Sequence, residues 1–324
     1  MIKTMTAGFY SLCYHYIRND YDDPLPRLFG TKISDFNEHV SMLKKEYNVI
    51  SLNDVNSFYS LETNFKDIKN GLLITFDDGL SDQFEAGKIL AENDISSIFF
   101  IPTCTIKDNL PASPIILHYA IAILGMKKFL TELKELVQEE YQIVESYFEN
   151  IFSSNNIQKT IDMIKNIFYY KLEPSLSREF LIDIYNKNVK SAGYSSQDMH
   201  LSKNQIEKLL EMGHKIGTHS HSHISLARQG IDEEYIKNEL IEPKNYLEGL
   251  LDIKINCMSY PFGEPRDCFS AQELFKKTNT YQLAFTIKHQ LNKTKTSPLE
   301  IGRYMVTSQD DAEGLNKKIG LKNL

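Results

Sequence analysis

The sequence has few cysteines and lacks the paired spacing typical of structural zinc sites. Its four cysteines are Cys13, Cys104, Cys257 and Cys268, and no two of them form a CxxC pair. A chain of 324 residues can bury a sizeable core without covalent cross-links. We therefore predict four free thiols, with Cys13 and Cys257 packed as small hydrophobic side chains in apolar strands.

Long hydrophobic runs and clusters of basic residues are also missing. No window reaches the roughly 20 apolar residues of a membrane span, and polar residues interrupt the N-terminal stretch "MIKTMTAGFYSLCYHYI", where a secretory signal would be apolar. The 36 basic and 43 acidic residues give a net charge of −7, with no basic stripe. We predict no nucleic-acid partner and no transmembrane segment, and we expect a cytoplasmic protein because no export signal is visible.

Short apolar runs alternate with amphipathic helical patterns along most of the chain. This rhythm favours a parallel sheet or barrel with helices outside it. Residues 105–200 depart from the rhythm, since they are strongly amphipathic and show few strand signals. We predict a helical insertion there, which either covers a site or forms an oligomer contact, between a first part at 1–104 and a second at 201–324.

Two adjacent carboxylates end the most apolar of these strands. In "GLLITFDDG", Asp77 and Asp78 follow a buried run and precede Gly79. The sequence Asp-Asp-Gly is good turn chemistry, so a turn alone is one interpretation. The carboxyl ends of parallel strands also collect catalytic groups, and two like charges there need a cation or a shared proton. A metal ion would satisfy both carboxylates.

Three histidines follow another short strand in "GTHSHSHISL". An extended chain would bring His219, His221 and His223 to one face, whereas a first helical turn would select His219 and His223 and point His221 away. Three surface histidines with no shared role are the plainer alternative. Imidazoles together with a carboxylate, leaving positions open, are typical ligands of a catalytic Zn²⁺ or a similar divalent ion.

"TFDDG", "HSHSH" and "YPFG", taken in this order and each at a strand end, resemble the motifs of the metal-dependent polysaccharide deacetylases, carbohydrate esterase family 4 with the NodB-homology fold. The resemblance covers about 9–101 and 201–306 and leaves the helical middle outside. It implies a distorted (β/α)7-type barrel of mainly parallel strands, so that 1–104 and 201–324 are the two parts of the deacetylase barrel.

The resemblance also assigns roles to individual residues. Asp77 matches the general base, and Asp78, His219 and His223 match the metal ligands, with Zn²⁺ as the expected ion. The backbone N–H of Phe262 matches the oxyanion donor. The rest of that loop, which without the other motifs would be a simple Pro/Gly turn, matches the substrate-binding residues Tyr260, Pro261 and Gly263.

Two family features are missing from their usual places. Met258 and Ser259 stand where an Arg is common before the Pro motif, and the late Leu-x-His motif that normally supplies the general acid is absent. The segment "SLCYHYI" resembles a subgroup in which this histidine follows the first strand, so His15 is the candidate acid. Arg303 is a candidate replacement for the missing Arg, although a strand Arg at a sheet edge is an equal alternative.

The predicted function is hydrolysis of an N-acetyl group on a sugar, the substrate being free, nucleotide-linked or lipid-linked in surface-glycan assembly. An O-acetyl group is the less favoured target. Two rival hypotheses stay open at this point. One is a carbohydrate-binding or scaffold protein without turnover, which the missing motifs favour. The other is a hydrolase of a different non-peptide C–N bond, which would need a closed pocket where a sugar needs an open groove.

Overall fold

Parallel strands form the centre of the molecule. The computed structural model describes residues 8–21, 23–60, 68–154, 156–227 and 231–320. Within these ranges the strands are β1 (Phe9–Tyr14), β2 (Ile17–Arg18), β3 (Thr31–Lys32), β4 (Asn48–Val49), β5 (Gly71–Phe76), β6 (Ile98–Ile101), β7 (Lys215–Thr218), β8 (Cys257–Ser259), β9 (Leu283–Phe285) and β10 (Tyr304–Met305).

The main sheet is parallel and curls toward closure. Its strand order is β10-β1-β5-β6-β7-β8-β9, with β4 also paired to β5, and β2 and β3 form a separate pair. A parallel bridge between Phe285 and Ile301 brings the chain that leads into β10 next to β9. The predicted distorted (β/α) barrel is therefore confirmed.

Helices cover the outside of this sheet and build a separate layer. They are α1 (Ile33–Glu46), α2 (Leu52–Tyr59), α3 (Gln83–Glu92), α4 (Cys104–Lys107), α5 (Ser113–Leu124), α6 (Met126–Glu139), α7 (Glu145–Phe152), α8 (Ile157–Asn166), α9 (Pro174–Ile184), α10 (Ser196–Met199), α11 (Lys203–Glu211), α12 (Glu233–Leu251), α13 (Pro265–Thr278) and α14 (Ala312–Gly320). A capping box of Ser202 and Gln205 starts α11, as its sequence predicts.

Side chains of the strands alternate between two cores because successive residues point to opposite faces. Leu72, Ile74 and Phe76 of β5 pack outward against the surrounding helices. Leu73 of β5 points inward and joins Phe100 of β6 and other residues of the barrel interior. Polar residues continue the inward row toward the carboxyl ends of the strands, and that is where the candidate site lies.

Helices α5–α9 share a hydrophobic core of their own. Phe148, Phe168 and Phe180 meet at its centre, and α8 and α9 each continue into a π-helical turn. Within the described ranges no single helix is long and apolar enough to span a membrane; α5 and α6 reach that threshold only together, with a bend of 119° between them. The predicted division at residues 104 and 200 stays a prediction.

All four cysteines are buried free thiols, as the sequence predicts. Cys257 packs in the barrel interior. Cys13 does more than fill space, because its thiol donates to the Asp77 carboxylate over 3.3 Å.

Candidate active site

The carboxyl ends of neighbouring strands bring the predicted residues together. Cys13 of β1 pairs in register with Thr75 of β5. Both side chains point into the barrel, so two residues later His15 and Asp77 lie at the same edge. His219 follows β7 directly. One cavity of about 350 Å³ is lined by the candidate base, acid, ligands and loop residues Asp77, His15, Asp78, His219, His223, Tyr260 and Phe262.

Asp78, His219 and His223 form a compact set of possible metal ligands. One ligand atom of each lies within 4.8 Å of the others. Asp78 Oδ1 is 3.4 Å from His219 Nε2 and 3.2 Å from His223 Nε2, and all three side chains are buried. The donor set of two imidazoles and one carboxylate is the one expected for a catalytic zinc-like ion.

Hydrogen bonding around this set fits a cation. His219 Nδ1 lies 2.9 Å from the Ser259 carbonyl oxygen and donates to it, which leaves the lone pair of Nε2 facing Asp78. Asp78 Oδ1 and His223 Nδ1 are buried and have no hydrogen-bond partner among the described residues. A divalent ion between Asp78 and the two imidazoles would satisfy the orphaned oxygen, because buried charges need a partner.

The pKa shifts of Asp78 and His219 also indicate a site for positive charge. Burial alone would raise the pKa of Asp78, but the His219 and His223 imidazoles beside its carboxylate hold it well below its usual value. Burial would lower the pKa of His219, and the charges of Asp77 and Asp78 raise it instead. The pocket therefore attracts positive charge to the point between these side chains, whether a proton or a metal ion supplies it.

A tight loop selects two of the three histidines. Neither a helical turn nor an extended strand carries them, because Ser220 and His223 both have left-handed backbone angles, with φ of 61° and 58°. The Ser220 hydroxyl accepts the His223 N–H over 3.0 Å and fixes the loop. His221 points elsewhere, toward Asp108 at 2.9 Å. The structure brings the predicted pair, His219 and His223, together with Asp78, whereas neither of the two predicted local structures is present.

Asp77 is held by a buried guanidinium. Arg303 Nη1 and Nη2 donate to its two carboxylate oxygens, each over 2.7 Å, and the Arg303 side chain is fully buried. Burial would raise the pKa of Asp77, but the charges of Arg303 and then His219 keep it well below its ordinary value. Asp77 is therefore an ionised carboxylate with fixed orientation, and Arg303 is the charge partner that the sequence left undecided.

Ser259 helps to hold Arg303, which is distant in the sequence, beside Asp77. Its hydroxyl donates to Asp77 over 3.0 Å and accepts from Arg303 Nη2 over 2.7 Å. Ser259 stands in the region where the family commonly has its own arginine, and its small side chain leaves room for the guanidinium of Arg303. Sequence reasoning recorded Ser259 only as a departure, although a small polar residue at that point was a usable signal.

His15 lies beside the base. A ring nitrogen of His15 lies within 4.8 Å of both the Cys13 thiol and the Asp77 carboxylate. Burial lowers the pKa of His15, and the charges of Asp78 and Asp77 partly offset that effect. The side chain also lines the cavity, beside the Asp77 carboxylate.

The loop after β8 presents one backbone donor to the cavity. Phe262 has a φ of 62°, and its ring packs edge-on against His223, with centroids 4.8 Å apart. Its backbone N–H has no acceptor among the described residues. Tyr260 lines the cavity, whereas Pro261 is not among its lining residues and Gly263 lines a neighbouring cleft. Gly263 lies close to Ile287, leaving little room for a Cβ atom.

Comparisons with known proteins agree with this geometry. A family model described as polysaccharide deacetylase matches residues 154–280. Over these residues the chain is similar to the polysaccharide deacetylases. The resemblance predicted from the motifs is thereby confirmed, although the match starts inside the helical middle and does not include "TFDDG". No curated protein sequence matches the chain significantly.

Solved structures resemble the fold of this chain over nearly its whole length. The Streptococcus pyogenes deacetylase PplD in complex with acetate has a TM-score of 0.57 and 16% identity, covering 97% of this chain and 99% of that one. IcaB from Ammonifex degensii has a TM-score of 0.57 and 14% identity, and the match covers 97% of this chain and 98% of that one. A de-N-acetylase from Aggregatibacter actinomycetemcomitans has a TM-score of 0.55 and 11% identity, and the match covers 96% of this chain and 99% of that one. At such identities the likeness concerns the fold.

The helical middle of the chain contributes directly to the cavity. Tyr169 packs on the Phe262 ring with centroids 4.7 Å apart. Lys165, Tyr170 and His118 also line the cavity. Of the two roles left open for this segment, covering the site is the one that these contacts support.

Proposed function

We propose that the protein is a metal-dependent hydrolase that removes an N-acetyl group from a sugar, with Zn²⁺ as the ion. The observation that carries the proposal is that two adjacent aspartates, Asp77 and Asp78, have different environments. Asp78 faces two imidazoles and has an oxygen without a partner, whereas Asp77 is neutralised by Arg303. A binding protein would need neither arrangement, and a hydrolase needs both.

When bound by Asp78, His219 and His223, the ion supplies a Lewis acid that polarises a carbonyl and acidifies water. Asp77 accepts a proton from the attacking water. Its two oxygens are fixed by Arg303, Ser259 and Cys13, so the carboxylate meets the water in one orientation. Arg303 keeps Asp77 ionised before the reaction begins, which makes it available as a base over a wide pH range.

His15 and Phe262 complete the set of groups. The Phe262 N–H has no other acceptor among the described residues and is positioned to stabilise the negative oxygen that forms during attack. His15 in its protonated form donates to the departing sugar nitrogen, because without this proton the nitrogen would have to leave as an amide anion, which is a very poor leaving group. This role belongs to the subgroup with the acid histidine after the first strand, to which we assign the chain.

We further propose that the substrate is an intermediate of surface-glycan assembly and that the reaction takes place in the cytoplasm. The cavity supports a sugar as the substrate, because aromatic residues from two directions, Tyr169 and Phe262, meet beside the ligand set.

The test combines metal content with acetate release on a panel of N-acetylated sugars. Wild type, Asp77→Asn and His15→Ala are compared after loading with Zn²⁺. Asp94→Asn, in an exposed turn with a φ of 59°, is the matched control because asparagine tolerates that backbone. We expect bound metal in all four proteins and acetate release from wild type and Asp94→Asn only.

Two results would contradict the proposal. Absence of bound metal in wild type after loading would remove the hydrolase mechanism. Undiminished acetate release by Asp77→Asn would exclude Asp77 as the base, because loss of an essential base costs about 10² to 10⁴ in rate.

A further inference from the structure

The catalytic cavity has a second lobe. We call the lobe that contains Asp77 and the histidine ligands the metal lobe. A further cavity of about 410 Å³, here the apolar lobe, shares with it the lining residues His15, Asp78, His118, Lys165 and Met305. The two cavities therefore meet along one wall, and a ligand with its acetyl group in the metal lobe can extend into the apolar lobe.

Aliphatic side chains dominate the apolar lobe. Its remaining walls are Leu28, Phe29, Leu117, Ile121, Ile161 and Ile164, together with Tyr16 and Arg27. The Tyr16 hydroxyl already pairs with His118, and Arg27 donates to the Ala122 carbonyl oxygen. Phe29 is 76% exposed, so the lobe opens to solvent beside an aromatic side chain that has little other cover. Large exposed apolar residues at the mouth of an apolar pocket mark a site for an apolar ligand.

Lys165 lies where the two lobes meet. It lines both of them, and it forms no ion pair with a carboxylate among the described residues. Burial lowers the pKa of Lys165, which the charge of Asp162 on the same helix partly offsets. A partly buried ammonium without an anionic partner favours a ligand that brings a negative group.

We propose that the substrate is an N-acetylated sugar joined through a phosphate ester to an apolar chain, with the sugar in the metal lobe, the phosphate at Lys165 and the chain in the apolar lobe. This inference rests on the proposed function and specifies which of its three substrate forms the site accepts. The order of the groups along the cavity matches their order in such a molecule.

The walls of the apolar lobe disfavour the nucleotide-linked form. A nucleotide would place a ribose and a base, both rich in hydrogen-bonding groups, against Leu117, Ile121 and Ile164. Burying such groups without partners costs binding free energy, whereas an alkyl or prenyl chain gains it from the same walls. A free sugar would leave the lobe without an occupant.

The test measures binding separately from turnover. Octyl phosphate, octan-1-ol and inorganic phosphate are titrated calorimetrically into the metal-loaded full chain. We expect octyl phosphate to bind at least about tenfold more tightly than either of its parts. Inorganic phosphate also reports any direct binding of the anion to the metal.

Variants test whether the phosphate of octyl phosphate binds at Lys165 and its alkyl chain binds in the apolar lobe. Lys165→Met removes the cation and Ile161→Asp places a charge in the apolar wall, and each should weaken octyl phosphate binding about tenfold, equivalent to about 1.4 kcal/mol. Lys159→Met, on an exposed position of α8, and Ile143→Asp, at an isoleucine that is 87% exposed, are the matched controls and should bind as wild type does.

The outcomes separate this inference from the proposed function. Acetate release from free or nucleotide-linked sugars, combined with no binding of octyl phosphate, would overturn the lipid-phosphate inference and leave the hydrolase proposal intact. Equal binding of octan-1-ol and octyl phosphate would overturn the role of Lys165. Lysine-dependent binding of octyl phosphate without acetate release from any N-acetylated sugar would overturn the proposed function and support the assigned ligand chemistry.

Discussion

Asp77 and Asp78 are neighbours in the chain, yet their carboxylates have different partners. Asp77 receives two hydrogen bonds from one guanidinium, whereas Asp78 faces two imidazole nitrogens. The turn interpretation is correct as well, because Asp78 and Gly79 have φ angles of 71° and 56°. The left-handed turn changes the direction of the chain between the two residues, so adjacent like charges serve separate sites.

Removing the guanidinium should cost both stability and activity. Arg303→Met leaves Asp77 buried and without its cation, and breaking a buried ion pair from one side destabilises a protein by about 3–5 kcal/mol. We expect a lower urea midpoint and a loss of acetate release. Lys254→Met, at a side chain that is 93% exposed, is the control. A midpoint unchanged from wild type would contradict the structural role of Arg303.

A buried histidine makes the fold sensitive to acid. His200 Nε2 accepts the Ala112 N–H and its Nδ1 donates to the Asp78 carbonyl oxygen, so the ring is neutral, and burial lowers its pKa to about 4. The unfolded chain, with a pKa of about 6.5, binds the proton more readily, and stability is therefore lost as the pH falls below about 6.5. From about pH 7.5 to about pH 4.5 this group alone removes about 2.5 kcal/mol.

His200→Gln tests that linkage. A glutamine amide can donate to one oxygen and accept from one N–H, as the histidine does, but it does not take up a proton in this range. Urea unfolding of both proteins at the two pH values should show a smaller acid loss for the variant. Equal losses would assign the acid sensitivity to other groups.

At the scale of elements, the loop between β7 and α12 sets the ligand geometry. Ser220 combines a left-handed backbone with a hydroxyl that accepts the His223 N–H. Ser220→Val should weaken Zn²⁺ affinity about 10- to 100-fold, since valine strains that backbone and removes the acceptor. Ser220→Asn retains both properties and should bind nearly as wild type in a competitive chelator titration. Equal affinities for the two variants would contradict this role.

The sequence predicted helices and strands well where the pattern within a single segment was sufficient to identify them. The strand before Asp77, the capping box at Ser202 and the helical character of residues 105–200 were all readable from local pattern. The pairing of Asp77 with Arg303 was not, because it joins residues 226 positions apart and depends on the curl of the sheet. The part of the cavity wall formed by Lys165 and Tyr169 was missed for the same reason. Their helical sequence pattern does not indicate which distant segment they pack against.

At the scale of the whole molecule, the candidate metal site connects segments that are far apart in the sequence. Asp78 follows β5 and the two histidines follow β7, with the helical middle between them in sequence. Metal bound only to the folded state should therefore stabilise the whole barrel, by about 2.7 kcal/mol at a free metal concentration 100 times the Kd.

Removal of metal should lower the thermal midpoint of wild type. Scanning calorimetry with and without a chelator measures the difference, and Asp78→Asn should show a much smaller one because it lacks a ligand. Asp94→Asn is again the control and should respond as wild type does. A chelator effect of the same size in Asp78→Asn would place the metal elsewhere.

The pairing of β1 with β10 also has a consequence for protein synthesis. The first strand leaves the ribosome carrying Cys13, and its partner residue Met305 is synthesised much later. Until then Asp77 has no guanidinium beside it, so a nascent chain that stops short of residue 303 carries the base and the metal ligands without the cation that neutralises the base. Truncated products that lack residue 303 should accordingly be poorly folded substrates for quality-control proteases.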